Sequence, residues 1–530
     1  VRNSNFEAII QSFDIKALGT DSSSVVIDVS ALYTDDVPVL GLQKSRRETY
    51  KVRRLDKTRS FINSARSYPE NVEVRHVLTY DAAEPPSNGS SSSISLEMNQ
   101  SMILLPADPM QPRLCDKRVG FFSVRLTDYG RDAQRAEQRC FITRWRLEPK
   151  DPAAHARGEL VEPIKPIVYY IDPATPAKWR PYLKQGVDDW NRAFEAAGFK
   201  NAIMAKDPPT PEEDPEFSPE DVRYSVIRYF SSPIENAYGP HVHDPRTGEI
   251  LESDIGWYHN VMNLLRNWYF IQTAAINPDA RSVRFRDEVM GRLIRFVSAH
   301  EVGHTIGLPH NWGSSAAYPV DSLRSKAFTD AMGTAPSIMD YARFNYVAQP
   351  GDGVTSLMPD IGVYDKWAIK WGYSPLPQAA SADAERPILN QWVVERAGDP
   401  MYFYGRQGPR IDPRSQNEDL GDDAVKASDY GIANLKIILE NLVSWTQEEA
   451  KDYEDLNELY GQLAGQWNRY VGHVAANVGG WHEDFKTYDQ DGDDLRDGAR
   501  AAPARIHGMA RSRGVRDAVV DAGRERAAAH

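Results

Sequence analysis

Runs of branched apolar residues dominate the first third of the chain, and spaced apolar stripes dominate the rest. Val25, Val26, Ile27 and Val29 open a strand-like pattern, and residues 73–80, 94–105, 120–126 and 140–147 predict four further strands. Residues 59–67 predict a short helix between them. A second pattern starts near Pro163. Residues 167–172 predict a strand, and Val187, Trp190, Ala193, Phe194 and Ala197 recur at helical spacing within 177–197, with Gly198 as its C-cap. Residues 201–206, 222–229 and 249–257 predict strands. A helix opening at Asp287 and Glu288, acidic residues suited to its positive end, carries Val289, Leu293, Phe296, Val297, His300 and His304 at mixed three- and four-residue steps. Helical patterns return at 361–371, 425–443 and 448–476. This order of strands and helices predicts an α+β fold, and no glycine fingerprint for a dinucleotide or nucleotide phosphate accompanies it.

Composition narrows the picture. Of 530 residues, 41% are apolar, enough for a substantial core. The formal charge of -13, from 75 acidic and 62 basic side chains, gives no reason to expect nucleic acid as a partner. No run approaches 18 apolar residues, so a membrane span is not expected. The sequence begins at Val1 without a charged-then-apolar leader, so export is not legible from it. Cys115 and Cys140, the only cysteines, fit either one disulfide or two buried thiols. Asn88-Gly89-Ser90 matches a glycosylation triplet, with a coincidental match the plainer reading. After about residue 489 aromatic residues cease and Ala, Arg, Gly and Asp dominate, which predicts a disordered or atypical tail over 489–530.

The chemistry concentrates in His300-Glu301-Val302-Gly303-His304-Thr305-Ile306-Gly307-Leu308-Pro309-His310. Two histidines four residues apart share one helical face and can aim at one ion. Gly307 permits a sharp turn, which brings His310 round as a third ligand. Three imidazoles of this kind suit one catalytic Zn2+ with an open coordination position, and Glu301 is placed to serve as general base for water attack on a peptide carbonyl. His241 and His243 are candidate second-site ligands by their spacing, although surface histidines explain them more simply.

The whole string, H-E-x-x-H-x-x-G-x-x-H, resembles the metal motif of the metzincin peptidases, and Ser337-Ile338-Met339-Asp340-Tyr341 resembles the family's methionine turn. The resemblance implies that Met339 forms a hydrophobic floor beneath the zinc ligands, and that Tyr341 approaches zinc and stabilises the tetrahedral intermediate. Tyr364-Asp365-Lys366-Trp367-Ala368-Ile369-Lys370-Trp371-Gly372-Tyr373, Ile167-Val168-Tyr169-Tyr170-Ile171-Asp172 and Trp179-Arg180-Pro181-Tyr182 narrow it to large bacterial secreted zinc metalloproteases with N-terminal domains of unknown function. Asn311 departs from the acidic or serine residue that marks several metzincin branches.

The implied architecture is a β-rich accessory domain over 1–160, a zincin-like catalytic domain over 161–375, a mainly helical extension over 376–488 and the tail. The implied activity is hydrolysis of internal bonds of a peptide or protein substrate, outside the cytoplasm. An aminopeptidase or peptide-processing enzyme, and a non-catalytic peptide-binding scaffold with a retained zinc site, are the alternatives. The fold further implies that Gly248-Glu249-Ile250-Leu251-Glu252-Ser253-Asp254-Ile255-Gly256-Trp257 supply the sheet edge along which an extended substrate pairs.

Overall fold

A computed structural model describes residues 10–497 except 22, 87–90, 133, 409–410 and 493. The triplet at Asn88 and most of the tail therefore lie outside the described residues. The architecture is mixed α+β, with the strands gathered in the first half and the long helices in the second. Among the described residues, no helix is long and apolar enough to cross a membrane.

The chain divides into two compact units. The first comprises Val1–Ala107, Asp128–Glu137 and Ser218–Arg223. Its centre is the twelve-residue strand Asn71–Ala82, which pairs antiparallel with Val52–Leu55, Phe61–Ser67 and Ser93–Ile103. Leu42, Leu78 and Tyr80 form its small apolar cluster. The helix expected over 59–67 is instead a three-residue 3-10 turn, Lys57–Arg59, followed by the strand Phe61–Ser67. Residue-by-residue pairing from Phe61↔Val77 to Ser67↔Val72 overrides the weak local preference of a segment rich in Ser, Asn and Arg. Three basic residues of this unit form ion pairs inside it, Arg47 with Asp36, Lys51 with Glu84 and Arg54 with Asp81.

The second unit comprises Asp108–Thr127, Gln138–Phe217 and Tyr224–His530. Its limits differ from the boundary at 160 read from the sequence, because residues 108–127 and 138–160 pack here. A five-stranded sheet forms its frame. We label its strands β1 (Ile167–Ile171), β2 (Ile203–Lys206), β3 (Ser225–Phe230), β4 (Ala237–Tyr238) and β5 (Ile255–Tyr258). Their order is β2-β1-β3-β5-β4, parallel except for β4, which runs antiparallel at one edge. This corrects the edge expected at Gly248–Trp257. β5 has a neighbour on each side, and Glu249–Glu252 is the middle strand of a separate three-stranded sheet between Val242–His243 and Arg144–Trp145. The edge strand beside β5 is β4, too short to leave an alternating pattern in the sequence.

Two helices place the histidine motif. Arg180–Asp188 (α1) lies against Asp287–Thr305 (α2). Gly186 lets them close: a Cβ there would stand 2.6 Å from the Cβ of Ser298. Trp190, fully buried, donates its indole N–H to Ala299 O at 2.8 Å and locks α2 one residue before His300. Gly198, with φ of +89°, ends the preceding helical run as expected. The helix Ala382–Val394 lies in the expected helical extension but has no pattern of its own in the sequence, since Pro387 disguises it as a break; Ser381 caps it by accepting the Ala384 N–H.

Candidate metal centre

α2 ends at Thr305, and Gly307 takes a φ of +101°, which only glycine adopts without strain. A Cβ there would also lie 2.2 Å from Thr143 O. The turn is held from outside, because Gly307 O accepts the Phe122 N–H at 2.8 Å, and it delivers His310 to the helix pair. The Gly307→Ala variant is expected to lose about 2–4 kcal/mol of stability through backbone strain and the clash. Thermal unfolding of the purified variant, with metal titration alongside, measures both the loss and the misplacement of His310.

The ligand atoms of His300, His304 and His310 lie within 4.8 Å of one another. Each ring is oriented through its Nδ1. His300 Nδ1 donates to Ile338 O at 2.8 Å, His304 Nδ1 to Leu308 O at 2.7 Å, and His310 Nδ1 to Gln407 Oε1 at 2.7 Å. Donation from Nδ1 leaves each Nε2 with a lone pair. His300 Nε2 is buried without a partner, and the Nε2 atoms of His304 and His310 stand 3.2 Å apart. Two lone pairs at that distance repel unless a cation lies between them, so the donor set fits a metal ion. Burial holds the rings neutral: it pushes His300 well below the ordinary value, His304 down to about 3 and His310 downward as well, with the neighbouring imidazoles adding to the shifts of His300 and His304.

Glu301 is almost fully buried, and burial pushes its carboxyl up to about 8 against the opposing pull of the Gly239 N–H. Gly239 follows β4 directly and touches α2 so closely that a Cβ would lie 2.3 Å from Glu301 O. The edge strand thus runs beside the acid. Tyr341 closes the other side, its ring centre 4.2 Å from that of His310 and 5.2 Å from that of His300. Burial raises its phenol to about 12. Met339 is buried and packs where a Cβ on Gly303 would be, 2.2 Å from its sulfur, which explains glycine inside the motif.

The turn carrying Met339 is itself anchored by Asp365, a fully buried residue. It accepts Ser337 Oγ–H at 2.6 Å, Ile338 N–H at 2.8 Å and Gly362 N–H at 2.9 Å. Since Ile338 O accepts the His300 Nδ1–H, this carboxyl positions that ring through the backbone of one residue. Burial raises its pKa from 3.8 to about 7. The folded state then holds this proton more tightly than the unfolded chain, so its contribution to stability falls as pH rises from about 4 to about 7 and is flat above. Unfolding measured across that window, with Asp365→Asn showing a flatter limb, checks the sign.

Asn311 replaces the branch-marking residues for a visible reason. Its side chain donates to Phe403 O at 3.0 Å and accepts from Gly405 N–H at 2.8 Å, which carries Gln407 to His310. Gln407, Asp365, Gly239 and Phe122 had no signal in spacing, because each reaches the centre from a distant segment. The second-site idea at His241 and His243 finds two half-buried rings 5.3 Å apart, and among the described residues the only three-ligand group is the one above. Cys115 and Cys140 form a disulfide, the first of the two states their sequence allowed. A roomier cavity of about 640 Å³ near Trp367 and Phe403 contains none of the histidines.

A family model described as Met-zincin matches residues 282–499, and one described as Domain of unknown function (DUF5117) matches residues 1–150. No curated protein matches the chain, and no solved structure does. The match over the histidine cluster and the cluster's geometry show a metzincin-like domain able to bind a metal ion.

Proposed function

We propose that this chain is a zinc-dependent peptidase that cleaves internal peptide bonds. The observation that carries the reading is the convergence of three oriented, neutral imidazole lone pairs beside a buried carboxyl. His300, His304 and His310 would hold the ion through their Nε2 atoms, two of which already stand 3.2 Å apart. Zinc supplies a Lewis acid for the scissile carbonyl and lowers the pKa of water.

The remaining work falls to the chain. β4 offers a free edge to an extended peptide and leads through Gly239 to Glu301, so a strand paired there passes the acid. Glu301 takes a proton from the attacking water and returns it to the leaving amine nitrogen. A carboxyl with its pKa raised toward neutrality suits both transfers. Tyr341, protonated at neutral pH, donates a hydrogen bond to the oxygen on which charge develops. The Cys115–Cys140 bond supports action in an oxidising compartment outside the cytoplasm.

A diverse pool of peptides blocked at both ends tests the proposal. Internal cleavage by zinc-loaded protein is the expected result. Cleavage confined to free amino ends supports an aminopeptidase, and binding without cleavage supports a scaffold.

A further inference from the structure

Against His300, Glu301 and Tyr341 lies a cavity of about 50 Å³, walled by the apolar side chains of Leu264, Phe296 and Val297. That volume holds about four water-sized groups. Arg343 also lines it and is 9% exposed. Its guanidinium lies over Trp268, with Cζ 3.0 Å from the ring centre, a cation–π contact that holds the group at the cavity wall. Nε is buried and stands 2.6 Å from a Glu418 oxygen as an ion pair, without a well-directed hydrogen bond. Glu418 also takes Arg469, so one carboxylate serves two guanidiniums and a positive charge is left over. The terminal nitrogens of Arg343 donate no hydrogen bond to any described residue.

A buried guanidinium with idle donors is costly unless an anion meets it. Its planar fork matches the two oxygens of a carboxylate. The remaining carboxyl at the cavity, Glu301, is assigned to proton transfer, so the complementary charge is expected from the bound molecule. We propose that this cavity is a carboxylate-selecting subsite, in which Arg343 receives the carboxylate of a residue flanking the scissile bond. That carboxylate is an acidic side chain or a free chain end. The proposal rests on the peptidase reading above and adds a substrate class to it.

The test uses zinc-loaded protein and pairs of peptides that differ only in Asp against Asn, or Glu against Gln, on either side of the cleaved bond. Further pairs end in a free acid or an amide. For one set, kcat/KM is expected to be at least about tenfold higher for the carboxylate member. Preference within the side-chain pairs identifies an acidic residue, and preference within the end pairs identifies a chain end. Arg343→Gln is expected to bring the ratio close to one, and Arg343→Lys to keep part of it. Equal rates for every pair in the unaltered protein overturn the subsite while leaving the peptidase reading intact. So does an unchanged ratio in Arg343→Gln. If nothing is cleaved, the peptidase reading fails, and calorimetric binding of the same pairs decides the subsite alone: tighter carboxylate binding upholds it and equal affinity overturns it.

Discussion

Replacing Glu301 with Gln is expected to lower kcat for peptide hydrolysis by about 10³-fold or more, while the protein keeps its metal. The amide preserves the shape of the side chain and its packing beside Gly239, but it can neither take a proton from water nor return one to an amine. Metal content by elemental analysis and single-turnover cleavage of a blocked peptide, measured on the same preparation, separate the two effects. A variant that retains metal and loses turnover assigns the proton relay to this carboxyl. If it cleaves at an undiminished rate, the general base is another group and the proposed mechanism is wrong. If it loses metal as well, Glu301 supports the centre itself, because a ligand helix with an altered last turn misplaces His300 and His304 together.

Removing the ion, or the ring of His304, is expected to abolish cleavage altogether. His304 is the ligand whose Nε2 lies 3.2 Å from that of His310, and its Nδ1 proton goes to Leu308 O in the turn around Gly307. His304→Ala therefore deletes a ligand and unpairs a buried carbonyl in the segment that delivers the third histidine. Loss of a carbonyl's partner costs about 1–3 kcal/mol, and loss of bound metal withdraws further stabilisation in proportion to its affinity. Chelation of the unaltered protein should lower the melting temperature and stop cleavage, and added zinc should restore both. An activity that survives thorough chelation would refute the metal-dependent mechanism whatever the fate of the fold.

How much of this centre the sequence disclosed depends on the reach of each interaction. The three histidines, Glu301 and Gly307 fall within eleven residues, and their roles follow from helix periodicity and one left-handed turn. Met339 and Tyr341 were legible only through resemblance, and the structure seats both against the motif. The partners that orient the rings were not legible. Gln407 lies 97 positions from His310, and Asp365 acts on His300 through the backbone of Ile338. Such contacts leave no period to detect. The edge strand failed for a related reason. Ala237–Tyr238 is two residues long, whereas the apolar run ending at Trp257 announces a strand without saying which neighbours it will have. Phe61–Ser67 became a strand because the long strand Asn71–Ala82 pairs with it on both sides of an irregularity between Ile62 and Ser64, a tertiary effect outside the reach of local preference.

The strap formed by residues 108–127 and 138–147 has a practical consequence for anyone trimming the gene. Phe122 N–H clamps Gly307, Trp145 donates its indole N–H to Thr305 O, and Arg113 spans Glu385 and Trp371 O from a fully buried position. A recombinant fragment cut at residue 161, where the sequence suggests a domain border, would discard all three and leave the end of the ligand helix without its outer brace. A fragment cut at 108 would keep them.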